Sequence, residues 1–193
     1  MIKEGSVSRT AGTEHTMNLL PRISSLAVLV FGLSACLGIP DGVKPVQDFE
    51  MDRYLGTWYE IARLDHSFER GLSNVTAQYS LRDDGGVRVI NRGFKATDGE
   101  WDEAEGKAYF VDDKTTGKLK VSFFGPFYGA YNVIALDQQD YQWSMVAGPD
   151  TSYLWILSRT PALEQTIVNE LLTQAKSYGF ETDQLIFVNQ AQE

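Results

Sequence analysis

Two side chains are reactive enough to do chemistry by themselves: His66, in the run Asp65-His66-Ser67, and Cys36, the only cysteine among 193 residues. The Asp-His-Ser run has the letters of a nucleophilic triad. Adjacent residues cannot, however, converge their side chains as nucleophile, base and orienting carboxylate must. The only other histidine is His15, so a zinc site built from His and Cys has too few ligands and no metal is expected. A single cysteine also rules out a disulfide within the chain. Acidic residues are plentiful, 26 against 17 Lys and Arg, but nothing sets one pair apart as the acid and base of a hydrolase. There is no glycine-rich phosphate loop and no expected cofactor. The net charge of −9, without a Lys/Arg cluster, lacks the phosphate-neutralising surface of a nucleic-acid binder. These exclusions favour a binding or structural protein over an enzyme.

Cys36 is informative because of its setting. From Met17 the chain has a short start bearing Arg22, an apolar run from Ile23 to Leu33, and small residues before the cysteine. That is the layout of a secretory signal, and the run is too short to span a bilayer, which takes about 20 apolar residues. Leu33-Ser34-Ala35-Cys36 resembles the lipobox of bacterial lipoproteins, whose cysteine is lipidated and becomes the first residue after cleavage. Residues 1–35 are accordingly read as a signal peptide, with the polar residues 1–16 as an upstream extension before a start at Met17. Leu37 after the cysteine, rather than Asp, resembles an outer-membrane address. Removing 1–35 leaves the chain still more acidic, so lipid and not charge must hold it at a membrane.

The rest of the chain supplies the scaffold. Residues 36–49 contain Pro40, Gly42 and Pro45 and read as a tether. The barrel domain is expected over 50–193. Strands are predicted over 58–63, 76–81, 87–94, 105–110, 118–124, 131–136, 143–147 and 153–159, and Asp83-Asp84-Gly85-Gly86 is a strong hairpin signal. Eight short strands at near-regular spacing suggest a meandering sandwich or barrel. A helix follows, with Thr160 as N-cap, Pro161 in its first turn, Gly179 as its stop, and Leu163, Ile167, Leu171, Ala175 and Tyr178 as its apolar face. A last strand is predicted over 185–188.

Gly56-Thr57-Trp58 on the first strand resembles the Gly-x-Trp signature of lipocalins. Asp137 and Tyr141 resemble the family's second motif, and Arg159 before the helix its third. Segments 54–63, 121–132 and 154–161 are similar to the bacterial lipocalins, outer-membrane lipoproteins related to the apolipoprotein D group. The resemblance implies an all-β fold, an eight-stranded up-and-down antiparallel barrel with one C-terminal α-helix packed outside. It implies a lipid carrier anchored at the bacterial outer membrane on its periplasmic face, binding fatty acids or lysophospholipids and serving in envelope stress. A homodimer remains an option, as do a cargo-free structural lipoprotein and a lipid-modifying enzyme.

Residue roles divide between the two ends of such a barrel. Gly56, Trp58 and Arg159 would close one end, an indole acting as plug and a guanidinium on its face adding a cation–π contact. By resemblance to the apolipoprotein D group, Tyr79, Asn91 and Trp155 match positions lining the ligand pocket, with Tyr128 at the mouth. An apolar cup with these few polar groups suits an amphiphile, tail buried and head hydrogen-bonded. Strand parity leaves one conflict. Counted from Trp58, Glu60 faces inward, where a carboxylate is costly unless paired. It must therefore meet a basic partner, Arg63 or Lys107, or be turned out by a bulge.

Overall fold

The computed structural model describes residues 37–190. The expected signal peptide and Cys36, the expected site of lipidation, lie outside these residues. A single helical turn, α1 (Met51–Tyr54), leads into eight strands: β1 (Gly56–Arg63), β2 (Leu72–Leu81), β3 (Val87–Lys95), β4 (Glu100–Phe110), β5 (Lys118–Phe124), β6 (Phe127–Leu136), β7 (Trp143–Ala147) and β8 (Leu154–Ser158). Each pairs antiparallel with the next, and β1 pairs with both β8 and β2, which closes the barrel. Helix α2 (Gln165–Ser177) follows, then a 3-10 turn at Thr182–Gln184 and the two-residue β9 (Ile186–Phe187).

The barrel is filled and clad by two separate apolar sets, as the period-two alternation of side chains requires. Inside lie Trp58, Tyr79, Val87, Val89, Ala108, Leu119, Val133, Val146 and Leu157. Outside, Ile61, Ala62, Met145, Leu154 and Ile156 pack beneath Leu171 and Ala175 of α2. The helix begins five residues after the expected Thr160 cap. The Thr160 hydroxyl instead bonds the Ala162 carbonyl at 2.6 Å, which holds the chain in a turn before the helix can start. Gly179 does stop it, at φ +84°, a backbone conformation costly for any side chain.

Strands β2, β4 and β6 each begin four or five residues earlier than predicted. In β4 the missed stretch, residues 100–104, is exposed and highly charged, so it carries no apolar alternation to read. In β2 a bulge between Ser73 and Thr76 breaks the period. The presumed tether also differs. Its described part lies along the barrel, with the Val46 amide donating to Val133 at 2.8 Å, the Phe49 amide to Thr115 at 2.7 Å, and Pro40, Val43 and Phe49 buried. Apolar side chains three residues apart, Val43, Val46 and Phe49, outweigh the proline and glycine content of this stretch.

The strand directions define two ends. The β2–β3, β4–β5 and β6–β7 turns share one end with α1; the β1–β2, β3–β4, β5–β6 and β7–β8 connections share the other.

Candidate functional site

The α1 end is sealed. Trp58 is fully buried, donates its indole N–H to the Tyr54 carbonyl at 2.8 Å, and stacks at a tilt on Tyr54, which in turn meets Phe49 and Tyr79. Over the outer face of Trp58 lies the Arg159 guanidinium, 3.9 Å from the ring centre. Its N–H groups donate to the carbonyls of Arg53, Thr57 and Tyr141, so the cation has both a π face and three oxygen partners. Gly56, at φ +95°, leaves 3.4 Å between Arg159 and the place where a Cβ would sit. Above the plug, the hydroxyls of Tyr54, Tyr131, Tyr79 and Ser144 form a chain of bonds of 2.8, 2.9 and 3.1 Å. Burial pushes the Tyr54 hydroxyl up to about 12 and raises Tyr79 and Tyr131 as well, so all three remain neutral donors. A void of about 10 Å³ among Tyr54, Tyr79, Val89, Leu119 and Tyr131 has room for roughly one water, far too little for a lipid tail.

The opposite half is built differently. The bulge between Glu60 and Ala62 adds one residue to β1 and reverses its parity, so Glu60 and Arg63 both face inward. Of the expected alternatives the basic partner is the one that occurs, since the bulge leaves Glu60 inside and brings Arg63 to it: Arg63 donates to the Glu60 carboxylate at 2.6 Å and to the Glu69 carbonyl at 2.7 Å. Lys107 lies on the outer face of β4, opposite Arg88. Glu69 descends from the β1–β2 loop to accept the Trp155 indole N–H at 3.0 Å, and His66 Nε2 stands 3.2 Å from its carboxylate. Burial, and next the neighbouring Glu69, raise the Glu60 carboxyl. Burial likewise raises Glu69, while burial and Arg63 push His66 down to about 4, leaving a neutral imidazole. Asp65 turns away to the exposed Arg70, so Asp65-His66-Ser67 does not converge.

Glu69, and the place of His66 beside it, are not legible in the sequence because both sit on a loop with no periodicity; their spacing of three, repeating that of Glu60 and Arg63, is the only signal. Four atoms here are buried without a hydrogen-bond partner: Arg63 Nε, His66 Nδ1 and Nε2, and Asn91 Oδ1.

Of the residues matched to a pocket, Tyr79, Asn91 and Trp155 face the barrel interior, at increasing distance from the plug. Tyr128 does not join them. In β6 the inward row is Phe127, Gly129, Tyr131, and Tyr128 lies on the outer face beside Tyr109 and Lys120. Phe123 takes the inner place that was expected of a mouth aromatic, made possible by Gly106, where a Cβ would come within 2.8 Å of its ring.

Burial along the inner rows changes sharply with height. Val87 and Val89 are buried, whereas Asn91 and Trp155 are partly open and Ala104, Gly129 and Phe127 are exposed, although all face inward. The interior is therefore a shallow open cup above a packed floor.

A lipocalin-like domain model matches residues 49–190, nearly all of the described chain. The chain belongs to the lipocalin family. It is 60% identical to the outer membrane lipoprotein Blc of Vibrio cholerae over 158 residues, 82% of this chain and 92% of that one. Identity to Blc of Escherichia coli K12 is 54% over 176 residues, 90% and 98% of the two chains. Bovine apolipoprotein D is more distant, 33% over 180 residues, 89% and 93%. Among solved structures, insecticyanin from the tobacco hornworm Manduca sexta superposes with a TM-score of 0.65 at 26% identity, covering 80% of this lipocalin and 88% of that chain. These relatives place this lipocalin at the outer membrane as a lipoprotein. The family is one of binding proteins.

Proposed function

We propose that this lipocalin binds one single-chain amphiphile, a fatty acid or lysophospholipid, in the open half of its barrel, and that lipid on Cys36 attaches it to the membrane. The carrying observation is the change from buried to exposed side chains along the same inward rows, between Val89 and Ala104, over a floor with no room for a chain. The cup wall offers apolar surface from Ala77, Ala104, Val121 and Phe123. Its polar atoms without partners, on Asn91, His66 and Arg63, can bond a head group, which suits an amphiphile better than a hydrocarbon. Catalysis gains no support from the same groups: His66 is held between Phe68, stacked on it at 4.1 Å, and Trp155, tilted against it at 5.0 Å.

Fluorescence titration with a lysophospholipid tests the reading. Trp155 stands in the cup, whereas Trp58 is sealed in the floor. A saturable change that disappears in Trp155→Phe is expected. No saturable change, or one unaltered in Trp155→Phe, overturns a site in the cup.

A further inference from the structure

The large apolar side chains left exposed are unevenly placed. Of the eight among the described residues, only Leu81 lies at the sealed end. Phe68 is 63% exposed on the β1–β2 loop, Phe124 and Phe127 are 80% and 58% exposed where β5 turns into β6, and Trp101 is 42% exposed beside the β3–β4 hairpin. Phe123 stands with them, and Ile186 and Phe187 flank the upper end of β1, opposite Arg63 and Ala62. An aromatic rim of this kind around an open cup marks a surface that leaves water for something apolar.

The start of the described chain says what that is. Gly38 is fastened beside the β7–β8 connection, its carbonyl accepting the Asn132 side-chain N–H at 3.0 Å and its Cα facing the Pro149 carbonyl. Asn132 is itself held by the carbonyls of Ala147 and Gly148. That connection belongs to the open end, and Tyr153, within it, stacks toward His66 and Trp155 at the rim. Cys36 is two residues before Gly38, so its Cα is within about 8 Å of that point. A lipid there pulls the open end, not the plug, toward the bilayer.

We infer that this lipocalin sits mouth-down, with Phe68, Phe124, Phe127 and Trp101 in the interfacial layer of the membrane that holds its anchor, so that the cup opens onto lipid and not onto water. This inference rests on the attachment at Cys36 proposed above. The contact is apolar in character. The hairpin next to Trp101 bears Glu100, Asp102 and Glu103, all exposed, so anionic headgroups would oppose it.

The test uses the full-length lipoprotein in phosphatidylcholine vesicles, with an environment-sensitive dye on Phe68→Cys, Phe124→Cys or Leu81→Cys, all exposed positions where the fold is not at stake. Lipidation removes Cys36 from the labelling reaction. Emission should brighten and shift to the blue at positions 68 and 124 and stay unchanged at 81, with a smaller shift when phosphatidylglycerol is added. A shift at 81 alone means the plug faces the membrane and overturns the inference. No shift at any position means the rim faces water or a second copy, and also overturns it. The mass of the N-terminal peptide separates the two readings: without acyl chains on Cys36 both fall, whereas acyl chains with the wrong dye response sink only the orientation.

Discussion

The two halves of this barrel use polar residues in opposite ways. At the sealed end the tyrosine hydroxyls bond one another in a chain, the indole N–H has a carbonyl, and Arg159 is laid between a ring and three backbone oxygens. At the open end two carboxylates, a guanidinium and an imidazole crowd one small volume and still leave buried atoms without partners. Satisfied polar networks make a core rigid and specific, whereas incomplete ones are costly and mark places kept for something else. One half is thus built to stay shut, and the other is where the proposed ligand would sit.

Breaking the floor should cost the most stability and the least binding. Trp58→Ala removes a fully buried indole and the seat of Arg159, and should destabilise by about 3–5 kcal/mol in urea unfolding. The lysophospholipid affinity of the molecules that remain folded should be unchanged. If affinity falls as steeply as stability, the two halves are not separate.

Arg63→Met sharpens the contrast from the other side. It strands the Glu60 carboxyl inside the barrel and removes the positive charge near Glu69, and breaking a buried pair from one side costs about 3–5 kcal/mol. A figure nearer 3 is expected, because both carboxyls can take up protons, and the loss should be accompanied by weaker lipid binding. Adding Glu60→Gln and Glu69→Gln should restore much of the stability but not the binding.

A smaller effect reads out the open half by pH. Glu60, raised to about 8 from 4.5, holds more protons folded than unfolded within that interval. Its stabilising contribution is complete below pH 4.5 and is lost as pH rises toward 8, at up to about 1.4 kcal/mol per unit. Glu69, also raised, has the same sign. His66 has the opposite one: lowered from 6.5 to about 4, it loses stability as pH falls through that range. His66 offsets only one of the two carboxyls between about pH 4.5 and 6.5, so the melting temperature should decline only gently there. It should then decline toward pH 8, and Glu60→Gln should reduce that decline. A melting temperature that rises from pH 6.5 to 8 would contradict this description of the cluster.

The same division explains what could be read from the sequence. The floor was legible because its residues sit in regular strands or in short motifs: Gly56 and Trp58 open β1, Arg159 follows β8 at once, and parity from Arg159 placed Trp155 correctly inside. The cup was less so. Its polar cluster depends on a bulge after Glu60, which no alternation announces because both Ile61 and Ala62 are apolar. Glu69 and His66 arrive on an irregular loop. Tyr128 was misplaced because counting strands gives a residue's height in a barrel more easily than its side, and only the β6 register shows that Phe127 and Gly129 are the inward pair. Charge hid the first half of β4, since an exposed stretch such as residues 100–104 looks the same in a strand as in a loop.

The most direct test of an open cup over a closed floor is native mass spectrometry of the lipoprotein extracted from membranes in mild detergent, compared with Ala104→Trp, which fills the cup from an exposed inward position. One retained single-chain lipid per wild-type molecule is expected, and little or none on Ala104→Trp. No adduct on the wild type, or equal adducts on both, would contradict it.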